Sequence, residues 1–294
     1  MNLLPHELAN EIFMSGSFAA HLVVEGNSDY ALFRQHVKDR SALNIVPAHG
    51  SPRVLACKSA VDFVKASTSK YATWKVHFFL DLDYRLVLGT LPTSTDLSTT
   101  DHRDIECHMV DSPAFETVFN EVVCPRKAAS NGLDAASFKE ALVVAAKRIG
   151  SVRFMSQKDD RGYDFKGLNS SKFFDCKTLV LSDAKFATHL AGKNQPKSIS
   201  IAQVRSDLIS VAQEPYFTHS YLLCSGHDLV QLMSEAVDGF WKPKGYPGDL
   251  GRGTLEAMLR VAFRDFFRSL ACYRRVFDWL VANTGRTDLI SAPT

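Results

Sequence analysis

Short apolar runs alternate with segments of helical period through the first third of the chain. His21–Glu25 (HLVVE) is an apolar run that stops at Gly26, the pattern of a buried strand. Ser28 stands where a helix N-cap is expected, and Tyr30, Phe33 and Val37 follow at helical spacing. Leu43–Pro47 (LNIVP) predicts a second strand. Pro52 then suits a first helical position, with Leu55, Phe63 and Ala66 in register behind it. Lys75–Leu80 (KVHFFL) predicts a third strand, which ends in the acidic tripeptide Asp81–Leu82–Asp83. Strand, helix, strand, helix, strand in this order predicts βαβ units and an α/β fold with a mainly parallel sheet.

From Pro113 to Tyr216 the pattern changes. Ala135–Ile149 predicts a helix, Arg153–Lys177 an irregular stretch, Thr178–Leu181 a short strand and Ile201–Ala212 another helix. Ser220–Cys224 (SYLLC) followed by His227–Ala236 reads as a strand, turn and helix returning to the first sheet. Trp241–Gly253 reads as a loop, a lid or a partner surface, and Thr254–Val281 as one helical stretch with a Phe-rich apolar face. The organisation expected is therefore a sheet core over 1–112, a mostly helical basic insertion over 113–215, a strand–helix return over 216–240, and a loop with C-terminal helices over 241–294.

Composition narrows the class. Of 294 residues, 46% are apolar and 11% aromatic, with 20 Phe, which is enough to build cores and excludes a disordered or fibrous chain. The six cysteines form no C-x-x-C pair and no zinc spacing, so reduced thiols and a cytoplasmic protein are expected. The first residues, MNLLPHELANEIF, lack the basic and apolar regions of a signal peptide, and no run is long enough to cross a bilayer. The net charge of +2 is uninformative, but its distribution is not. Residues 1–112 carry 10 basic and 13 acidic side chains, residues 126–177 carry 11 and 6, and residues 251–294 carry 7 and 4. An acidic core flanked by basic segments suits a metal-dependent enzyme acting on a polyanion, and ordinary surface variation also produces it.

The acids at strand ends carry the chemistry. Ligands of open α/β sheets bind beyond the carboxyl ends of the strands. Glu25 closes the first predicted strand, with Gly26 expected to allow a sharp turn, and Asp81 and Asp83 close the third. On an extended segment the two aspartates would face one side, and with the first and third strands adjacent all three carboxylates would converge. Such a group needs a cation, and an all-oxygen set selects a hard one. The plainer alternative has Glu25 capping the next helix and both aspartates serving as turn residues.

Val24–Asp29 (VEGNSD) and Phe78–Asp83 (FFLDLD), with Asp104–Met109 (DIECHM) and Ser225–Leu229 (SGHDL), resemble the TOPRIM domain of topoisomerases, primases and OLD-type nucleases. Together these motifs, over residues 20–112 and 218–236, resemble the small OLD-like TOPRIM proteins encoded beside an ABC-type ATPase in bacterial anti-phage systems. The resemblance implies a Rossmann-like TOPRIM sheet and metal ligands at Glu25, Asp29, Asp81, Asp83 and Glu106, holding two Mg²⁺ or Mn²⁺ ions. It sets His227 and Asp228 where related nucleases carry a basic residue; His227 is then a transition-state donor, a general acid or a sheet-anchoring side chain. The catalytic set is thus Glu25, Asp81, Asp83, Glu106 and His227. The implied activity is metal-dependent endonucleolytic cleavage, by a toxic effector that an ABC-type ATPase partner holds and releases, acting as a homodimer on host tRNA. A DNA nuclease of the same family and a non-catalytic binding subunit are the alternatives.

Arg260, Arg264, Arg268 and Arg275 recur at helical spacing and offer a stripe for phosphate contact or a solvated face. In the basic middle segment Lys158 and Arg161 are nucleic-acid candidates, with Phe154, Tyr163, Phe165, Phe173 and Phe174 available for stacking or for packing under a loop. His102 and His108 flank Glu106 in no zinc pattern and read as structural.

Overall fold

The computed structural model describes residues 4–195, 199–246 and 248–294. In chain order the elements are α1 (Pro5–Met14), β1 (Ala20–Val24), α2 (Asn27–His36), β2 (Leu43–Pro47), α3 (Ser51–Ser67), β3 (Val76–Leu80) and β4 (Leu97–Thr99). There follow α4 (Ile105–Asp111), α5 (Ala114–Val122), α6 (Pro125–Ser130), α7 (Ala135–Lys158), β5 (Phe174–Asp175), β6 (Val180–Leu181) and α8 (Asp183–Lys193). The chain ends with α9 (Ile201–Ser210), α10 (Ser220–Leu223), α11 (Gly226–Ala236), α12 (Arg252–Phe267) and α13 (Ala271–Thr284). The fold is α/β, with a four-stranded, all-parallel sheet flanked by helices. Two compact units make it up: residues 1–82, 91–101 and 264–294 in the first, and residues 83–90 and 102–263 in the second.

The first unit holds the sheet, in the order β2-β1-β3-β4. Its central strands, AHLVV and VHFFL, are buried along their whole length, as parallel strands covered on both faces must be. Alternation along β3 sends Val76, Phe78 and Leu80 to one face, where Leu8, Ile12 and Phe13 of α1 and Val54, Cys57 and Val61 of α3 complete a core. The intervening residues point the other way: Phe79 meets Phe33 of α2 at 5.0 Å between ring centroids, and His77 meets Trp279 of α13 at 4.7 Å. The three expected strands and both crossover helices are present, and α1 and β4 add to them.

The second unit is built around α7. Its Gly150 is required: a Cβ there would lie 1.9 Å from the carbonyl oxygen of Leu223. Several expectations are corrected here. Ser220–Leu223 is helical, so no strand returns to the sheet from this segment; a run of four apolar-flanked residues is too short to separate strand from helix by periodicity. The helix expected to end at Ile149 continues to Lys158, and the segment from 254 to 281 is two helices broken at Arg268–Leu270. Apart from Pro247, which lies outside the described residues, the predicted loop Trp241–Gly253 is irregular from Lys242 to Gly251, and its last two residues begin α12. Trp241 itself is no lid residue: it is fully buried and donates its indole N–H to the Cys176 carbonyl at 2.7 Å.

Candidate metal centre

In the first unit the sheet order sets β1 beside β3, so the acids after these strands share one end of the sheet, but among the described residues they form no group of three ligand atoms within 4.8 Å. Val24 pairs with Phe79 in register, so Glu25 and Asp81 leave the sheet at the same end. A carboxylate oxygen of Glu25 accepts the backbone N–H of Asp81 at 3.2 Å. The loop is held from its other side by Thr100, whose hydroxyl accepts the N–H of Leu82 at 2.8 Å. Asp29 is buried one turn into α2, with one carboxylate oxygen accepting the N–H of Gly26 at 2.8 Å. It therefore caps its own helix and lends a negative charge to that helix's N-terminal end. Gly26 has φ −137°, an extended conformation open to any residue, so the sharp turn expected of it is not needed.

Asp83 departs from the extended geometry expected of the D-x-D. Strand β3 ends at Leu80, and Asp83 has a left-handed φ of 49°, so alternation does not carry across the tripeptide. Asp83 belongs to the second unit, where its N–H donates to the Arg103 carbonyl at 2.8 Å and its carboxylate pairs with Arg85 at 2.9 Å.

The second unit gathers a group of its own. Asp104 caps α4 by accepting the N–H of Cys107 at 2.9 Å, and its other oxygen accepts the N–H of Gly226 at 2.8 Å. This double use ties the start of α4 to the start of α11. The approach is close enough that a Cβ on Gly226 would sit 2.3 Å from the Cβ of Glu106. Glu106 is buried on α4, His227 is exposed on α11, and Glu256 of α12 completes the group, with one ligand atom from each lying within 4.8 Å of the others. Burial pushes the thiol of neighbouring Cys107 well above the usual range, and it donates to the Cys224 carbonyl at 3.4 Å. Asp228 is committed elsewhere, in a two-pronged ion pair with Arg153 at 2.9 Å. No protein-family model and no curated protein matches this sequence.

Glu256 is absent from the sequence expectation. It lies far along the chain in an amphipathic helix, and its single signal is that it is the one acid between Arg252 and Arg264. The basic candidates are mostly engaged within the protein. Lys158 pairs with Glu214, and Arg161 pairs with Asp159 at 2.6 Å and Asp207 at 2.9 Å. Arg260 lies 3.7 Å from Glu256, Arg264 pairs with adjacent Asp265, and Arg268 donates to the Ala292 carbonyl at 2.8 Å. The expected single stripe is cut by the helix break, since Arg275 sits on α13 and pairs with Asp101 at 2.7 Å. Of the aromatics considered for stacking, Phe154, Tyr163, Phe173 and Phe174 are buried core, and Phe165 is covered by Arg153 at 4.3 Å. Removing these rings from water stabilises the unit, which takes them out of reach for stacking.

All six cysteines are free thiols. Among the described residues no helix is long and apolar enough to cross a membrane.

Proposed function

We propose that this protein is a divalent-metal-dependent endonuclease of the OLD-like TOPRIM type, cleaving phosphodiester bonds in RNA, with tRNA the favoured substrate. The observation that carries the reading is that Glu25 and Asp81 follow two adjacent parallel strands at the same end of a sheet ordered β2-β1-β3-β4, where a Glu25 oxygen accepts the Asp81 N–H. The donor set there is carboxylate oxygen throughout, which fits Mg²⁺ or Mn²⁺ and not a thiolate-seeking ion. Glu25 and Asp81 would hold one ion, with Asp29 in the same unit. Glu106 and Asp83, in the second unit, are the further carboxylates that the motifs propose. When bound, a pair of such ions neutralises the phosphate and makes a water acidic enough to attack it.

The protein's own contribution is placement. Glu25 is oriented by the Asp81 N–H, so one of its oxygens is already committed to holding the loop. Asp29 is fixed by the Gly26 N–H, and the loop itself by Thr100. These supports restrict the carboxylates before any ion or substrate arrives, which lowers the ordering cost of binding. By its motifs the chain is also proposed as the toxic effector of a PARIS-type phage-defence pair, held by an ABC-type ATPase and acting as a homodimer once released.

The test is sequencing of RNA ends and DNA breaks after induced expression of wild type beside Glu25→Gln. Discrete tRNA breaks in the wild type alone are expected. DNA breaks would move the substrate to DNA, and identical profiles in both strains would reject the nuclease.

A further inference from the structure

We propose that Glu106, His227 and Glu256 form a cation centre of mixed oxygen and nitrogen chemistry, which takes a first-row transition dication in preference to Mg²⁺. The inference rests on the proposed reading for Glu106 and for His227 as a functional side chain. Glu256, the grouping of the three and the ion preference come from the second unit's own geometry.

Three helices contribute one side chain each, and their ligand atoms fall within 4.8 Å of one another. That spacing suits three ligands around a single ion, each about 2.0–2.2 Å from it. Glu106 is buried and His227 exposed, so the group has an inner wall and an open side through which an ion and its water can enter. Two carboxylates this close repel each other unless a cation sits between them or one is protonated. The Arg260 guanidinium pairs with Glu256 at 3.7 Å from the next turn of the same helix and offsets part of this repulsion.

The position of the ligands is enforced by the backbone beneath them. Gly226 packs against Glu106 at a distance that no side chain would permit, and its N–H is fixed by Asp104. His227 is the next residue, so the imidazole is delivered beside Glu106 by two constrained helix starts.

The imidazole decides the ion. Mg²⁺ favours oxygen ligands and parts reluctantly with its water, whereas imidazole suits the transition dications. Two glutamates and one histidine leave open positions for water, as a catalytic or regulatory ion requires.

The experiment uses the full, tag-free chain and Mn²⁺ as probe, followed by electron paramagnetic resonance with detection of nitrogen spin-echo modulation. Wild type is expected to bind Mn²⁺ with the nitrogen signature of imidazole, and a hundredfold excess of Mg²⁺ should leave that signature in place. Glu256→Gln should weaken this binding by about tenfold or more. His227→Gln, at an exposed position where folding is not at stake, should abolish the nitrogen signature. Glu25→Gln should keep it, which separates this centre from the one at Glu25 and Asp81. Absence of the nitrogen signature in wild type, its persistence in His227→Gln, or an unchanged Mn²⁺ affinity in folded Glu256→Gln would each overturn the proposal. If the signature behaves as expected while no variant or wild type cleaves nucleic acid, the centre stands and the nuclease reading fails.

Discussion

Replacing Gly226 with alanine is the smallest perturbation that reaches the heart of the second unit. The added Cβ would meet Asp104 Oδ1 at 2.3 Å, Glu106 Cβ at 2.3 Å and the backbone nitrogen of Cys107 at 2.9 Å. Ordinary carbon contacts lie at about 3.5–4.0 Å, so the intrusion exceeds an ångström. None of the three atoms can swing away cheaply: one is a cap on α4, one a Cβ and one main chain. Overpacking of this kind costs about 1–3 kcal/mol. Alanine gains at most about 1 kcal/mol over glycine in a helix, and less at a first helical position such as this one. A net loss of about 1–2 kcal/mol is expected, a fall of several degrees in melting temperature. The control is Gly192→Ala in α8, where nothing lies within 4 Å of the new Cβ and the same substitution should be neutral or stabilising. Scanning calorimetry of wild type and both variants reads the outcome. A Gly226→Ala protein that melts at or above wild type, or that shifts with Gly192→Ala, would refute the close approach and with it the placement of His227 beside Glu106.

Asp81→Asn should lower metal-dependent cleavage by about a hundredfold or more while leaving the circular dichroism spectrum unchanged, and chelation of divalent ions should reproduce it in wild type. Burial pulls the pKa of His77 down from 6.5 to about 3, with Asp96 acting in the opposite sense, and burial alone brings His21 to about 4. Both stay neutral in the fold where the unfolded chain takes up protons, so their contribution is whole above pH 6.5 and is lost as pH falls toward 4 and then 3. Each can cost up to about 1.4 kcal/mol per pH unit in that window. Melting temperatures measured from neutral to mildly acid pH should therefore decline, less steeply in His77→Gln; equal slopes would contradict the assignment. Tyr84→Phe removes a buried hydroxyl that donates to the Gly150 carbonyl at 2.8 Å and should cost about 1–3 kcal/mol in chemical denaturation, with a near-zero change refuting it.

The sheet was readable because its strands are buried on both faces and each is punctuated. HLVVE stops at a glycine, LNIVP is itself closed by a proline, and KVHFFL stops at acids, so run length and boundary agreed. The acids after the first and third strands followed from the same reading, and the adjacency of β1 and β3 sets Glu25 and Asp81 at one end of the sheet. What sequence could not carry was the local backbone after the third strand. Alternation presumes an extended chain, and Asp83 turns left-handed, which no pattern of apolar residues announces.

The same limit explains the misread segment at Ser220–Cys224. A strand in a parallel sheet and a short buried helix are both continuous apolar runs, and only tertiary packing separates them. Glu256 was invisible for a different reason: its partners Glu106 and His227 lie 150 and 29 residues earlier, and nothing local distinguishes a ligand from a solvated acid on a helix. The arginines show the converse. Helical spacing suggested a continuous stripe, but the helix breaks between Phe267 and Ala271, and a local acid or carbonyl engages each of the four guanidinium groups. Charge runs report where cations are, not what they are already holding.

Calorimetric titration of the tag-free protein with Mg²⁺, for wild type and Glu25→Gln side by side, bears most directly on whether acids from two strands share an ion. A saturable Mg²⁺ site in wild type, weakened by about tenfold or more in a Glu25→Gln protein of unchanged melting temperature, is the predicted result. Equal Mg²⁺ binding by the two proteins would contradict it.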